Sequence, residues 1–219
     1  MVDAAYHIPG KNEYYIFAGR HYGRVRFAPN NNDKSLVAGP TLISKGWNTL
    51  SQEDFGRVDA VVPVPGTENQ LYVFFGGRYL KIKLENYDDS FVTEGARSIE
   101  SGWKSLIQAG FDTVDAAVLV PGTKSEIYFF RGLNYVRVDN ATDKIVLKVA
   151  PIKGGWTSIA KAGFDAVDAI VPNLNQPGHY YVFRGDKYAV IALDNSRHDT
   201  LISGAKPISE GWKPLDGWV

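Results

Sequence analysis

Val114-Asp115-Ala116-Ala117-Val118-Leu119-Val120 is the third of four openings of one kind, the others starting at Val2, Val58 and Val167 with the same Val-Asp-Ala. Their acidic residues, Asp3, Asp59, Asp115 and Asp168, stand 56, 56 and 53 positions apart. Each copy then continues alike. An aromatic run ends in Phe, a Tyr follows five residues later (Tyr22, Tyr79, Tyr135, Tyr188), and a Gly-Trp pair comes near the end (Trp47, Trp103, Trp156, Trp212). A period of this length carried by short strands marks a propeller or an array.

Unit three reads most clearly. Val114 to Val120 is nearly all apolar, as suits a strand covered on both faces. Pro121 to Ser125 is a turn cluster. Glu126 to Arg131 is aromatic-rich, Tyr135 to Asp139 alternates apolar with polar, and Ile145 to Val149 forms an outer strand. Trp156 to Ala162 has apolar residues at helical spacing and is stopped by Gly163. Units of about 1–55, 56–111, 112–164 and 165–219, each about four antiparallel strands plus a short helix, predict one all-β domain, a four-bladed β-propeller. Trp218-Val219 joined to Met1-Val2-Asp3 restores the register seen at Phe111 to Asp115, so the sequence reads as a circle whose ends meet between blades one and four.

Lys and Arg together equal Asp and Glu at 24 each. A neutral balance argues against nucleic acid, whose binding needs a basic surface. With no cysteine, disulfides, thiolate catalysis and cysteine-held metals are excluded. No apolar run approaches the ~20 residues of a membrane span, and no signal peptide is visible. The expectation is a cytoplasmic or released soluble protein without membrane insertion. Nothing resembles a phosphate-cradling loop, a nucleophile elbow or a metalloprotease helix, so an enzyme is not expected.

These residues resemble hemopexin repeats: the Asp-Ala-Ala openings (Asp3-Ala4-Ala5, Asp115-Ala116-Ala117), Glu126 to Tyr135 as Glu-x-Tyr-Phe-Phe-x-Gly-x-x-Tyr, and the closing Gly-Trp-x-x-Leu. Ala28-Pro29-Asn-Asn-Asn-Asp33-Lys34 with Gly39-Pro40 is similar to single-domain relatives, the plant albumin-2 proteins and hemopexin-fold lectins. Val61 and Ile170 depart from the family's Ala, and no cysteine pair closes the ring, so closure must rest on packing.

The innermost strand of a blade has no partner on its axial side, so alternate backbone groups are expected to face a central channel unpaired. Starting at Asp, this gives one ring of carbonyls from Asp3, Asp59, Asp115 and Asp168, and a second from Ala5, Val61, Ala117 and Ile170. Unpaired carbonyls suit a hard cation, and calcium takes six to eight oxygens. The expectation is structural calcium at the Asp ring, held by main chain and not by carboxylates. The alternative is that Asp only accepts hydrogen bonds at the strand start, with water in the channel. The inward N–H groups of the same strands offer a matching anion position, such as chloride, and the resemblance implies calcium, sodium and chloride in the same channel.

The Trp of each Gly-Trp pair reads as an anchor for its helical turn, and the four Tyr as fillers of the gaps between blades. Arg24, Arg26, Lys81, Lys83 and Arg137 alternate with apolar residues and read as solvated faces. Arg131 and Arg184 occupy equivalent positions, fitted either to anion recognition or to salt bridges. His7, His21, His179 and His198 lack metal-ligand spacing, so haem stays a minor alternative implied by the resemblance. The ligand expected is a glycan bound through loops, in a lectin; the alternatives are an albumin-2-like storage protein for haem or polyamine, or a protein–protein docking module. A homodimer is compatible with all three. Asn30 to Asp33, Tyr87 to Asp89 and Asn195 to His198 vary most between copies and are the loops to inspect.

Overall fold

The computed structural model describes residues 1–28 and 33–219; most of the Asn30 to Asp33 loop singled out above lies outside them. Blade one comprises β1 (Ala4–His7), β2 (Glu13–Ala18), β3 (His21–Phe27) and β4 (Lys34–Leu42). Blade two has β5 (Ala60–Pro63), β6 (Gln70–Phe75), β7 (Arg78–Glu85), β8 (Asp88–Phe91) and the two-residue β9 (Arg97–Ser98), which also pairs with β7. Blade three has β10 (Ala116–Leu119), β11 (Glu126–Arg131), β12 (Asn134–Asp139) and β13 (Lys144–Pro151). Blade four has β14 (Ala169–Pro172), β15 (His179–Arg184), β16 (Lys187–Leu193) and β17 (Asp199–Pro207). Every sheet is an antiparallel meander in chain order. The inner strands meet in a ring, β1 touching β5 and β14, and β10 touching the same two. This is the four-bladed propeller.

Four apolar clusters fill the four boundaries between blades. Phe17, Trp47 and Leu50 of blade one pack with Val61, Leu71 and Val73 of blade two, and the same pattern recurs at the next two boundaries. The last cluster closes the circle: Val2, Ala5 and Ile16 meet Phe183, Trp212 and Leu215, with Trp218 and Val219 against them. A side-chain carbon on Gly23 would lie 2.8 Å from the Trp218 ring, so the C-terminal indole seats directly on the backbone of β3. Lys34 adds to this closure, its Nζ 4.6 Å from the Phe27 ring centroid and 5.0 Å from that of Trp212. Burial among those rings pushes the Lys34 ammonium down to about 8.

The helical segment differs from the sequence expectation. Two short helices stand where one was predicted, α5 (Ile152–Gly155) and α6 (Thr157–Lys161), with Trp156 extended between them at φ −118°, ψ 80°. An extended Trp can drop its ring into the core while both turns stay on the surface; it is 3 % exposed. Each Gly-Trp glycine has a physical cause. A Cβ on Gly46, Gly102, Gly155 or Gly211 would lie 1.9, 2.1, 2.0 or 1.9 Å from the hydroxyl of Tyr22, Tyr79, Tyr135 or Tyr188. The repeated Tyr therefore lies flat against the repeated Gly, a contact the sequence pattern does not reveal.

The basic residues of the third strands are not simply solvated. The register sets Glu13 opposite Arg26, and the buried Glu13 carboxylate pairs with Arg26 at 2.7 Å and Arg24 at 3.0 Å. Arg137 pairs with Glu126 at 3.1 Å and Lys83 with Glu85 at 2.6 Å. Alternation identifies the face of a strand, but only the cross-strand register identifies its neighbours.

Candidate axial ion site and ligand surfaces

The register along each inner strand fixes which backbone groups are paired. Ala4, Ala60, Ala116 and Ala169 stand opposite Phe17, Phe74, Phe130 and Phe183. At the far end of the same strands, the amides of Ile8, Val64, Val120 and Asn173 donate to the second strand. Between them, alternation turns the backbone of Ala5, Val61, Ala117 and Ile170 away from the second strand. Pro63 and Pro172 stand two residues further on, at positions where an N–H would have had no ladder partner.

One expectation needs correcting. The amides of Asp3, Asp59, Asp115 and Asp168 do not face the channel: they donate at 2.9–3.0 Å to the carbonyls of Phe17, Phe74, Phe130 and Phe183. Asp and the following Ala thus both face one Phe, the two-against-one arrangement of a bulge at the strand mouth.

The carboxylates have a structural task repeated four times. Asp3 Oδ2 accepts from the Gly19 amide at 2.6 Å, Asp59 from Gly76 at 2.7 Å, Asp115 from Gly132 at 2.7 Å and Asp168 from Gly185 at 2.6 Å. Each Asp braces the turn between the second and third strands of its own blade, which is the hydrogen-bonding role weighed as the alternative above. Among the described residues no three His, Asp or Glu side chains converge as a metal cluster.

Asp3, Asp59 and Asp168 with Ala5, Val61, Ala117 and Ile170 line one narrow axial space, too tight to admit a water-sized sphere; blade three adds Ala116, the neighbour of Asp115. At the other end the channel widens to about 450 Å³, lined by Tyr6, His7, Leu119, Pro172 and Tyr180 among others. Burial raises the Asp59 carboxyl above the ordinary carboxylate range, and the charges of Asp3 and Asp115 push the same way against the Gly76 amide and Arg57. Because the folded value exceeds the unfolded one, the stability contributed is full below about pH 4 and is lost as pH rises through the folded value. Asp59→Asn removes this titration. The melting temperature of wild type relative to Asp59→Asn is expected to fall as pH rises from about 4 to 7; parallel curves would disprove the assignment.

Arg131 and Arg184 resolve as salt bridges, Arg131 to Asp112 at 2.5 Å and Arg184 to Asp168 at 2.9 Å and Asp165 at 3.2 Å. The histidines stay apart. His7 Nε2 meets the Lys11 carbonyl at 2.9 Å, His179 Nδ1 meets Gln176 at 2.8 Å, and His198 lies 3.4 Å from Asp194. His21 is the exposed first residue of β3.

Sequence reasoning missed a set of bridges between blades. The Asp89 carboxylate of blade two accepts from the Asn48 and Thr49 amides and the Thr49 hydroxyl of blade one, at 2.9, 2.6 and 2.5 Å. Asp143 of blade three does the same for Lys104 and Ser105, and Asp199 of blade four caps Ser158. Each acid satisfies the open N-terminus of the preceding blade's helix. The signal available was an Asp in each outer hairpin and Thr or Ser two residues after Trp. Blade four departs from it, with Pro214 at that position.

Four antiparallel blades with Asp-braced turns make this chain a four-bladed β-propeller, and its first blade matches a known repeat family. The family model Hemopexin matches residues 2–52. Over its whole length the chain is similar to Albumin-2 of Pisum sativum, 25% identical over 226 residues, covering 100% of this chain and 96% of that protein. Among solved structures it is similar to a plant lectin with two metal binding sites from Cicer arietinum (TM-score 0.89, 24% identity, 100% of this chain and 98% of that one). It is likewise similar to a plant albumin from Cicer arietinum showing hemagglutination (TM-score 0.88, 23% identity, 100% and 98%). At these identities the two structures speak for the fold.

Proposed function

We propose that this protein is a non-enzymatic, carbohydrate-binding propeller of the lectin type, braced by a calcium ion on its axis. The observation that carries the ion is the convergence of Asp3, Asp59, Asp168, Ala5, Val61, Ala117 and Ile170 on one axial space while the carboxylates are occupied by turn amides. A planar peptide points its C=O opposite to the next N–H. If the Ala after each Asp donates into the blade, the Asp carbonyl faces the axis, and Asp115 completes the ring by repeat. Main-chain oxygens of this kind fit a hard cation such as calcium or sodium. The inward amides of Ala5, Val61, Ala117 and Ile170 suit chloride further along. The ion's contribution is structural: it offsets carbonyl dipoles that would otherwise oppose one another.

The lectin reading is supported by the two Cicer arietinum proteins, one a lectin with two metal binding sites and one showing hemagglutination. Four similar blades also offer repeated edges to a multivalent glycan surface. Similarity to Albumin-2 along the full chain supports a second reading, a storage protein that binds haem or polyamine. Haemagglutination inhibited by a defined sugar supports the first; its absence together with a Soret band on haem titration would replace it with the second.

A further inference from the structure

The boundaries between blades differ on the face that carries the turns between first and second strands. Between blades three and four, the five-residue connection from β16 to β17 folds over the edge. A Cβ on Gly122 would meet Asn195 at 3.0 Å. Between blades one and two the connection from β7 to β8 is only two residues, Asn86 and Tyr87. Gly10, the counterpart of Gly122, has nothing within 4 Å of such a Cβ, and the same holds for Gly66 at the next boundary. A cleft of about 590 Å³ opens beside Gly10, lined by Lys11, Glu68, Asn69, Glu85, Asn86 and Tyr87 among others.

The groups in this cleft are fixed and chemically varied. Asn86 and Tyr87 have φ of +49° and +73°, the pair of left-handed conformations for which such a hairpin ordinarily uses Asn-Gly. A Tyr in the second place is strained, and strain of this kind tends to be kept where the side chain is used. The Tyr87 ring is held by the Arg24 guanidinium 3.7 Å from its centroid, and its hydroxyl donates to the buried Glu13 at 3.2 Å. Glu85 is held by Lys83 at 2.6 Å and by the Asn69 amide at 3.2 Å. Lys11 is exposed and stands 5.8 Å from the ring.

We infer that the cleft between blades one and two is a subsite for a neutral saccharide, with Tyr87 as its apolar wall and Glu85 and Asn69 as acceptor and donor for hydroxyls. The charged residues lining the cleft are Lys11, Glu68 and Glu85, the last already paired with Lys83 behind it, so an uncharged ligand is favoured over an anionic one. A sugar presents an apolar C–H face and paired hydroxyls, and a half-buried ring beside a carboxylate and an amide answers both. The competing account makes Tyr87 a tie between blades and nothing more.

The inference rests on the lectin reading, and the test keeps the two apart. Wild type, Tyr87→Gly and Glu85→Gln are applied to a glycan array, and the strongest glycan is then titrated in solution. Tyr87→Gly relieves the positive φ, which partly offsets the lost Arg24 and Glu13 contacts, so the variant is expected to stay folded while affinity falls by about tenfold or more. Glu85→Gln keeps the shape, is expected to weaken binding in the same direction, and decides the matter if Tyr87→Gly fails to fold. Wild type binding with both variants unchanged would overturn the subsite and leave the lectin reading standing. Wild type binding nothing on the array would overturn both.

Discussion

Gly155→Ala is expected to destabilise the fold by about 3 kcal/mol, an overpacking cost at the upper end of its usual range. The new methyl group would lie 2.0 Å from the Tyr135 hydroxyl and 2.6 Å from two ring carbons. The ring cannot retreat, because it stands 6.0 Å from Trp156 edge-on and 6.2 Å from Phe130, both buried. In a chain of this size the melting temperature should fall by about 6–12 °C. Gly154→Ala is the control. It lies in the same short helix, its added carbon meets only Pro151 Cγ at 3.7 Å, and Ala suits a helix better than Gly. It is expected to be neutral or mildly stabilising. Equal losses in the two variants would show that general helix strain, and not the Tyr contact, is at work.

Asp89→Ala is expected to cost a similar amount, about 3 kcal/mol, through a different mechanism. Asp89 is 8 % exposed and Thr49 is 2 % exposed, so the Asn48 and Thr49 amides and the Thr49 hydroxyl would be left at the edge of the core with no acceptor. Leaving donors unsatisfied costs more than the bonds contribute when made. Asp89→Asn retains an acceptor and should lose about half as much. Denaturant unfolding measures the loss, and hydrogen exchange at Thr49 locates it at the boundary of blades one and two. A change below about 1 kcal/mol would mean that apolar packing alone joins the blades.

The fold was legible because one unit is written four times, and because each strand carries its own signal. Glu126 to Arg131 was read with the bounds the structure has. The contacts that make the repeat necessary were hidden. Tyr135 meets Gly155 across two strands, and Asp89 meets Thr49 across two blades, so neither shows as a local pattern. Alternation alone hides the pairing of Arg24 and Arg26 for a related reason: their partner Glu13 is fixed by register and not by periodicity. The spacing of Trp156 and Ile159 is helical and points to one helix through both, whereas burial of the ring holds the Trp156 backbone extended between two turns. For the axis, the phase of the Asp residues was legible, but the bulge that turns their amides inward to the blade was not. The cleft of blades one and two follows from a hairpin of two residues, and its length has meaning only beside the longer hairpin of blade four.

The central claim is that backbone oxygens on the axis hold a cation while the Asp carboxylates hold turns. Calorimetric titration of chelator-stripped protein with calcium, run on wild type and on Asp115→Ala, tests it most directly. The expected result is one site in both proteins with closely similar affinity, calcium raising the melting temperature of each. Asp115→Ala should start from lower stability by about 1–3 kcal/mol through loss of the Gly132 bond. Absence of calcium binding in wild type, or its complete loss in Asp115→Ala, would contradict the account.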